Sequence, residues 1–189
     1  MRQAPVLSER DKVRVLQVLS RESCAPRNRL MFMLSWLAGM RVGEIAALRI
    51  EDVLSQSGAI RTEVQLSASQ TKGSTGRKVL LNVQMQEEIR RYVSALPVPI
   101  QASAPLIPSR TGKPFSANGL CQRFIQLYGK AGLDKATSHS GRRTFITELA
   151  HKGVNVRVLA ALAGHRHIGT TQRYIELNDA VLRAAVELV

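Results

Sequence analysis

The sequence predicts a mostly α-helical α+β fold with a small antiparallel sheet of about three strands. Apolar residues recur at helical spacing along most of the 189 residues, and between about residues 59 and 83 their period changes to two. Hydrophobic residues make up 44% of the chain, enough to bury a core at this length, which excludes a disordered basic tail. We therefore expect one folded domain over residues 1–189.

The first half of the chain predicts four helices. The first covers about 8–20, and its opening residues are typical of a capping box. A strongly apolar helix follows over about 28–38 and should end at Gly39. A short helix is expected over 40–48, and another over about 84–96.

Strands are predicted on both sides of the segment 67–77. Apolar and polar side chains alternate over 60–66 and again over 78–83, as in strands that bury one face. Two glycines in the joining segment favour turn conformations. We therefore expect Lys72 on or beside the tip of a hairpin.

The last third of the chain is predicted to be helical, after an irregular proline-rich stretch. Ser116 should cap a helix that ends at Gly132. Two further helices are expected over about 141–152 and 155–163, each followed by a glycine. Asn178 is expected to cap a final helix.

The charge balance favours a polyanionic partner. Lys and Arg number 27 against 14 Asp and Glu, which gives a net charge of +13 and makes nucleic acid the first expectation. No apolar run approaches the roughly 18 residues of a membrane span, and the N-terminus lacks the apolar core of a secretory signal. We expect a cytoplasmic protein with no membrane contact and no small-molecule substrate.

The cysteines and histidines do not predict a metal site. Cys24 and Cys121 are far apart in the chain, which gives neither a disulfide framework nor a thiolate cluster. His165 and His167 point to different sides of a helix, and no Cys or carboxylate cluster near them completes a zinc site. We expect no metal.

Two arginines occupy positions where apolar residues would be expected. On the predicted helix over 141–152, the centre of the apolar stripe lies within about 10° of Arg142 when successive residues are placed about 100° apart. A buried guanidinium needs either a carboxylate partner or an anion from outside the chain, and the stripe favours neither. Arg41 directly follows an apolar helix, and Glu44 is a partner at helical spacing, which by itself favours a structural ion pair.

A histidine and a tyrosine near the end of the chain are further candidates. His165 follows Gly164, so the turn that ends a helix would hold its ring and leave it able to point into a cleft. Tyr174 lies just before the break marked by Asn178. Packing is the simpler explanation for this tyrosine taken by itself.

Taken together and in order, these residues resemble the catalytic set of the tyrosine recombinase (phage integrase) family. The set comprises Arg41, Lys72, His139, Arg142, His165 and Tyr174. Segments 37–45, 71–81, 139–145 and 162–174 are similar to the family's arginine box, lysine hairpin, H-x-x-R box and final box. Ser140 and Gly141 stand where the family commonly has an acidic and then an apolar residue. The chain resembles a bare catalytic domain without an N-terminal core-binding domain.

The resemblance implies a site-specific DNA recombinase of the integrase or invertase type, which cleaves and rejoins strands through a 3′-phosphotyrosyl intermediate. Tyr174 would be the nucleophile. Arg41 and Arg142 would direct donors at the non-bridging phosphate oxygens, with Glu44 supporting Arg41. Lys72 would protonate the departing 5′-oxygen.

Two histidines complete the implied catalytic set. His139 and His165 would position the phosphate and help to move the proton of the nucleophile. The resemblance implies no cofactor, because the phosphotyrosyl bond retains the energy of the broken phosphodiester.

The resemblance also implies double-stranded DNA as the partner and a homotetramer on DNA, with a monomer or dimer in solution. The helix over 178–189 would dock on its own domain or on a neighbouring protomer. Further basic residues are expected to bind DNA: Arg77, Lys78, Lys113, Arg143, Arg166 and Arg173. Two alternatives stay open, namely a non-catalytic DNA-binding regulator that retains the fold, and a DNA-relaxing enzyme of the type IB topoisomerase kind.

Overall fold

The computed structural model describes residues 3–71, 75–97 and 99–174, together with residues 183, 186 and 187. The chain divides into two compact units, one up to Phe145 and one from Ile146 onward. The expectation of a single domain over 1–189 stays a prediction. None of the described helices is long and apolar enough to cross a membrane.

The described elements are mostly helical, as the sequence predicts. The first unit contains α1 (Glu9–Ser20), α2 (Ala25–Leu37), α3 (Val42–Ala47), α4 (Ile50–Val53), β1 (Glu63–Leu66), β2 (Arg77–Leu80), α5 (Val83–Ser94) and α6 (Ala117–Lys130). Helix α7 (Ser140–His151) begins in the first unit and continues into the second, which also holds α8 (Val156–Ala163) and α9 (Ile168–Gln172). A mostly helical fold with a small antiparallel sheet is thereby confirmed.

Helix α2 is the central helix of the first unit. Every residue from Leu30 to Trp36 is buried, and α1, α3 and α5 all contact this helix. A helix covered on all sides needs no polar face. This explains why the apolar residues of α2 form a block in the sequence rather than a stripe.

The sheet of the described residues is a two-stranded hairpin. Strand β1 pairs antiparallel with β2, with Glu63 opposite Leu80 and Leu66 opposite Arg77. Among the described residues the sheet has two strands rather than about three. The backbone N–H of Arg61 donates to the carbonyl of Val53 at 2.9 Å, and the strand predicted from residue 60 begins at Glu63. The prediction for Lys72 falls outside the described residues.

Helix α5 begins where the sequence predicts the end of a strand. The side chain of Asn82 accepts a hydrogen bond from the backbone N–H of Met85 at 2.8 Å, which caps the helix. Val83, which continues the alternating pattern, is therefore the first residue of α5 and is 83% exposed. The cap outweighs the strand propensity of a single valine.

The junction between α2 and α3 depends on a glycine. Gly39 has a φ of 58°, and the N–H of Met40 bonds back to the carbonyl of Leu34 at 3.2 Å. A Cβ at position 39 would lie 2.4 Å from Cδ1 of Phe145 in α7. Only a residue without a side chain lets α7 pack this close to the junction.

We expect Gly39→Ala to destabilise the first unit more than Gly58→Ala does. Gly58 has a φ of 80°, and a methyl group added there would meet no atom within 4 Å, so alanine carries only the backbone strain of about 1–2 kcal/mol. At Gly39 the overlap with Phe145 adds about 1–3 kcal/mol. Urea unfolding followed by the fluorescence of Trp36, the single tryptophan, measures both losses. Equal losses for the two variants would contradict the overlap.

Candidate active site

Both arginines that the sequence singles out are held at the junction between α2 and α3. Arg41 is the residue that precedes α3, and Arg142 lies in the first turn of α7. The Nη1 atom of Arg142 donates to the carbonyl of Gly39 at 2.6 Å, and the residue is only 5% exposed. The inward orientation that the apolar stripe predicts for Arg142 is therefore present. Both guanidiniums are anchored within a few residues of one another along the junction.

Glu44 holds this junction together. Its carboxylate is 1% exposed and accepts two hydrogen bonds from Arg41, one from the backbone N–H at 2.7 Å and one from Nη1 at 2.9 Å. Arg77 of β2 donates to the same carboxylate through Nε at 2.8 Å and Nη2 at 2.7 Å. The predicted pair of Arg41 and Glu44 is present, and Arg77 extends it to the hairpin.

The two arginines that pair with Glu44 set the charge state of its carboxylate. Burial raises the pKa of Glu44, but the hydrogen bonds and positive charge of Arg77 and Arg41 outweigh it and leave the pKa below its ordinary value. The carboxylate is therefore ionised at neutral pH. It pairs with the guanidiniums of Arg41 and Arg77, while Arg142 donates to the nearby carbonyl of Gly39.

Arg77 occupies a different position from the one its predicted role suggests. The sequence analysis assigns it to DNA contact, whereas the structure directs its forked donors at Glu44 and leaves its side chain only 10% exposed. The alternation along the strand already indicated a buried position, because Arg77 lies on the same face as Val79 and Leu81, which are buried. Contact between Arg77 and DNA stays a prediction.

His139 lies one helical turn before Arg142. It is exposed, and its carbonyl accepts the N–H of Arg143 at 2.8 Å in the first turn of α7. The structure explains why small residues, Ser140 and Gly141, follow His139 where the family commonly has an acidic and then an apolar residue. Ser140 is fully buried and its Oγ accepts the N–H of Thr137 at 3.0 Å, while a Cβ at Gly141 would lie 2.6 Å from Oγ of Ser35.

The second unit brings His165 and Tyr174 together. Helix α8 ends at Gly164, whose φ of 60° lets the N–H of His165 bond back to Ala160 at 2.9 Å. The rings of His165 and Tyr174 are stacked, with their centroids 6.0 Å apart. The turn at the end of α8 and the short helix α9 therefore place both predicted residues side by side.

Sequence reasoning missed Thr171, which contacts both of these residues. Its Oγ1 lies 2.9 Å from Nδ1 of His165, and its carbonyl accepts the N–H of Tyr174 at 2.9 Å. Thr171 is fully buried. No separate helix over residues 168–172 was predicted, and neither was this contact, because a threonine between polar neighbours gives no helical signal of its own.

The other predicted site residues lie mostly on the surface. Lys78 pairs with Glu63 across the hairpin at 3.0 Å, Lys113, Arg166 and Arg173 are exposed, and Arg143 is half-buried. Their contacts with DNA stay predictions. Lys72 and most of the helix predicted over 178–189 lie outside the described residues. Within the described ranges, no group of His, Cys, Asp or Glu could hold a metal ion.

Comparison with known proteins decides the family. The family model described as "Phage integrase family" matches residues 5–180. This chain belongs to the phage integrase family. The match includes every residue of the predicted catalytic set, from Arg41 to Tyr174.

Curated relatives of this phage integrase family member are tyrosine recombinases. The tyrosine recombinase XerA of Pyrococcus furiosus is 26% identical over 184 residues, which cover 96% of this chain and 60% of the relative. XerD of Staphylococcus epidermidis is 31% identical over 162 residues, covering 83% of this chain and 52% of the relative. The chain thus spans only part of the length of the relatives it matches.

Solved structures share the fold. A crystal structure of XerA recombinase superposes with a TM-score of 0.75 at 25% identity, over 100% of this chain and 66% of that one. XerH bound to its difH substrate superposes with a TM-score of 0.70 at 21% identity, over 98% of this chain and 54% of that one. The tyrosine recombinase catalytic-domain fold predicted from the sequence is confirmed.

We expect Glu44→Gln to destabilise the protein at neutral pH by about 3–5 kcal/mol, because two guanidiniums lose their buried carboxylate. The lowered pKa of Glu44 contributes stability above its ordinary value of 4.5, and that stability is lost as the pH falls through the folded value. The wild type should therefore lose this contribution on acidification, and the variant should not. Urea unfolding at a series of pH values measures it.

The matched control is Glu87→Gln on α5. Glu87 pairs with Arg90 on the surface and is 53% exposed, so its replacement should change the free energy of unfolding by less than about 0.5 kcal/mol. If the two variants lose the same stability, the carboxylate of Glu44 does not hold the junction.

Proposed function

We propose that this chain supplies the catalytic part of a site-specific DNA recombinase of the integrase or invertase type, which cleaves and rejoins strands through a 3′-phosphotyrosyl intermediate. The observation that carries the proposal is the anchoring of Arg41 and Arg142 at one junction, by the Glu44 carboxylate and the Gly39 carbonyl. Membership of the phage integrase family and the recombinase names of the relatives support it.

The two arginines stabilise the charge that develops on the phosphate. As a nucleophile adds to phosphorus, negative charge grows on the non-bridging oxygens, and forked guanidinium donors match those oxygens. Glu44 and the Gly39 carbonyl already hold Arg41 and Arg142 before any substrate binds. Little reorganisation is then needed in the transition state.

Tyr174 is the nucleophile. Its phenolic oxygen forms a bond to phosphorus and gives up its proton, which His139 helps to move away, and the bond from phosphorus to the 5′-oxygen breaks. Lys72 delivers a proton to that oxygen, which leaves as a hydroxyl. A phenol titrates near 10, so a positive environment is needed to favour the attack at neutral pH. A 5′-hydroxyl from another strand reverses the step, and the exchange needs no cofactor.

Double-stranded DNA is the proposed partner, and a homotetramer is the proposed assembly on it. The net charge of +13 supports binding to the phosphate backbone. The exposed residues Lys113, Arg166 and Arg173 are the first candidates for that contact. His139, exposed one turn before Arg142, is proposed to position the phosphate.

We expect the wild type to form a covalent adduct with a nicked suicide substrate made from DNA that flanks its coding region. Tyr174→Phe should abolish the adduct, because the attacking oxygen is removed, and should keep non-covalent binding. Denaturing electrophoresis detects the adduct and a mobility shift detects binding. The control is Tyr92→Phe, a buried tyrosine of α5, which should leave the adduct intact.

The outcomes separate the alternatives. Binding without an adduct for both wild type and Tyr174→Phe would favour the non-catalytic regulator. Relaxation of plasmid DNA without sequence preference and without strand exchange would favour the topoisomerase. No adduct on any substrate with the wild type would contradict the proposed recombinase.

A further inference from the structure

One ring nitrogen of His165 has a hydrogen-bond partner within the second unit. Nδ1 lies 2.9 Å from Oγ1 of Thr171, a distance typical of a hydrogen bond. Thr171 is fully buried in α9, so solvent does not compete for its hydroxyl. His165 itself is only partly buried, which leaves part of its surface accessible to a ligand.

The burial of Thr171 fixes the direction of this hydrogen bond. A threonine hydroxyl has one proton to donate, and a buried donor without an acceptor costs about 1–3 kcal/mol. Among the residues that the structure describes, Nδ1 of His165 is the acceptor within reach of this hydroxyl. Donation from the O–H of Thr171 to Nδ1 gives that proton an acceptor, and it requires the lone pair of the ring to be on Nδ1. The ring proton of the neutral histidine then lies on Nε2.

We propose that Thr171 is a positioning residue that selects the Nε2–H tautomer of His165. In this tautomer the histidine presents a hydrogen-bond donor at Nε2. This rests on the proposed function, in which His165 positions the phosphate and would do so by donating from Nε2 to a non-bridging oxygen. This tautomer also removes His165 as the first acceptor of the Tyr174 proton, because the lone pair of Nδ1 is taken by Thr171 and Nε2 carries the ring proton.

The ring of His165 lies beside the ring of Tyr174. The planes of His165 and Tyr174 are 24° apart with centroids at 6.0 Å, so the rings are stacked. Thr171 also fixes the backbone of the nucleophile, since its carbonyl accepts the N–H of Tyr174 at 2.9 Å. One residue thus orients both groups.

The tautomer can be measured without DNA. Nitrogen-15 NMR of histidine-labelled protein, at a pH where the rings are neutral, should show the proton of His165 on Nε2 in the wild type and in Thr171→Ser. Thr171→Val has the same shape without the hydroxyl and should shift the proton towards a mixture of the two nitrogens. A wild-type proton on Nδ1, or an unchanged tautomer in Thr171→Val, would overturn the proposal. His139, His151 and His167 should keep their signals and show that the variants are folded.

The catalytic consequence has its own measurement. Thr171→Val should slow cleavage of the nicked substrate about 10–100-fold, while Thr171→Ser restores it and non-covalent DNA binding is unchanged. Thr170→Val removes the hydroxyl of the exposed neighbour and should cleave at the wild-type rate. Equal rates for Thr171→Val and Thr170→Val would overturn the role. If the wild type forms no adduct at all, the proposed function fails, and the NMR result still decides the tautomer.

Discussion

The ion pair on which the first unit most depends is the one that Glu44 makes with two arginines. Its carboxylate joins Arg41 at the start of α3 to Arg77 in β2, and so ties the junction after α2 to the hairpin. A carboxylate buried this deeply is tolerated only because each oxygen accepts charge-assisted hydrogen bonds. The orientation of Arg41 thus depends on both α3 and β2. A change in the hairpin that moves Arg77 would shift Glu44 and, with it, Arg41.

Much of the arginine site could be predicted from local pattern. The apolar stripe on α7 predicted a buried Arg142, and the three-residue spacing predicted the pair of Arg41 and Glu44. The stripe could not choose between a carboxylate and an external anion as the partner of Arg142. In the structure Arg142 donates to a backbone carbonyl, that of Gly39, and no side-chain pattern encodes such a partner.

The failures have a common physical cause, which is a local contact that outweighs a periodic signal. Val83 continues a strand pattern, yet the cap from Asn82 makes it the first residue of a helix. The ion pair of Arg77 with Glu44 was not predicted, although Arg77 lies on the same face of β2 as the buried Val79. Thr171 was missed because its importance comes from a hydrogen bond to a ring six residues earlier. Such contacts depend on a turn geometry that propensities do not specify.

The burial of Glu44 has a consequence for how the protein responds to ionic strength. Dissolved ions screen exposed charges beyond about 8 Å at physiological salt, but they do not enter a closed contact between a carboxylate and a guanidinium. Added salt would weaken the hold on a polyanion steeply while the guanidinium of Arg41 keeps its orientation. In the proposed recombinase, DNA binding and the geometry of the bound site should therefore respond differently to salt: fewer molecules bind DNA as the salt concentration rises, while Arg41 keeps its orientation in each complex.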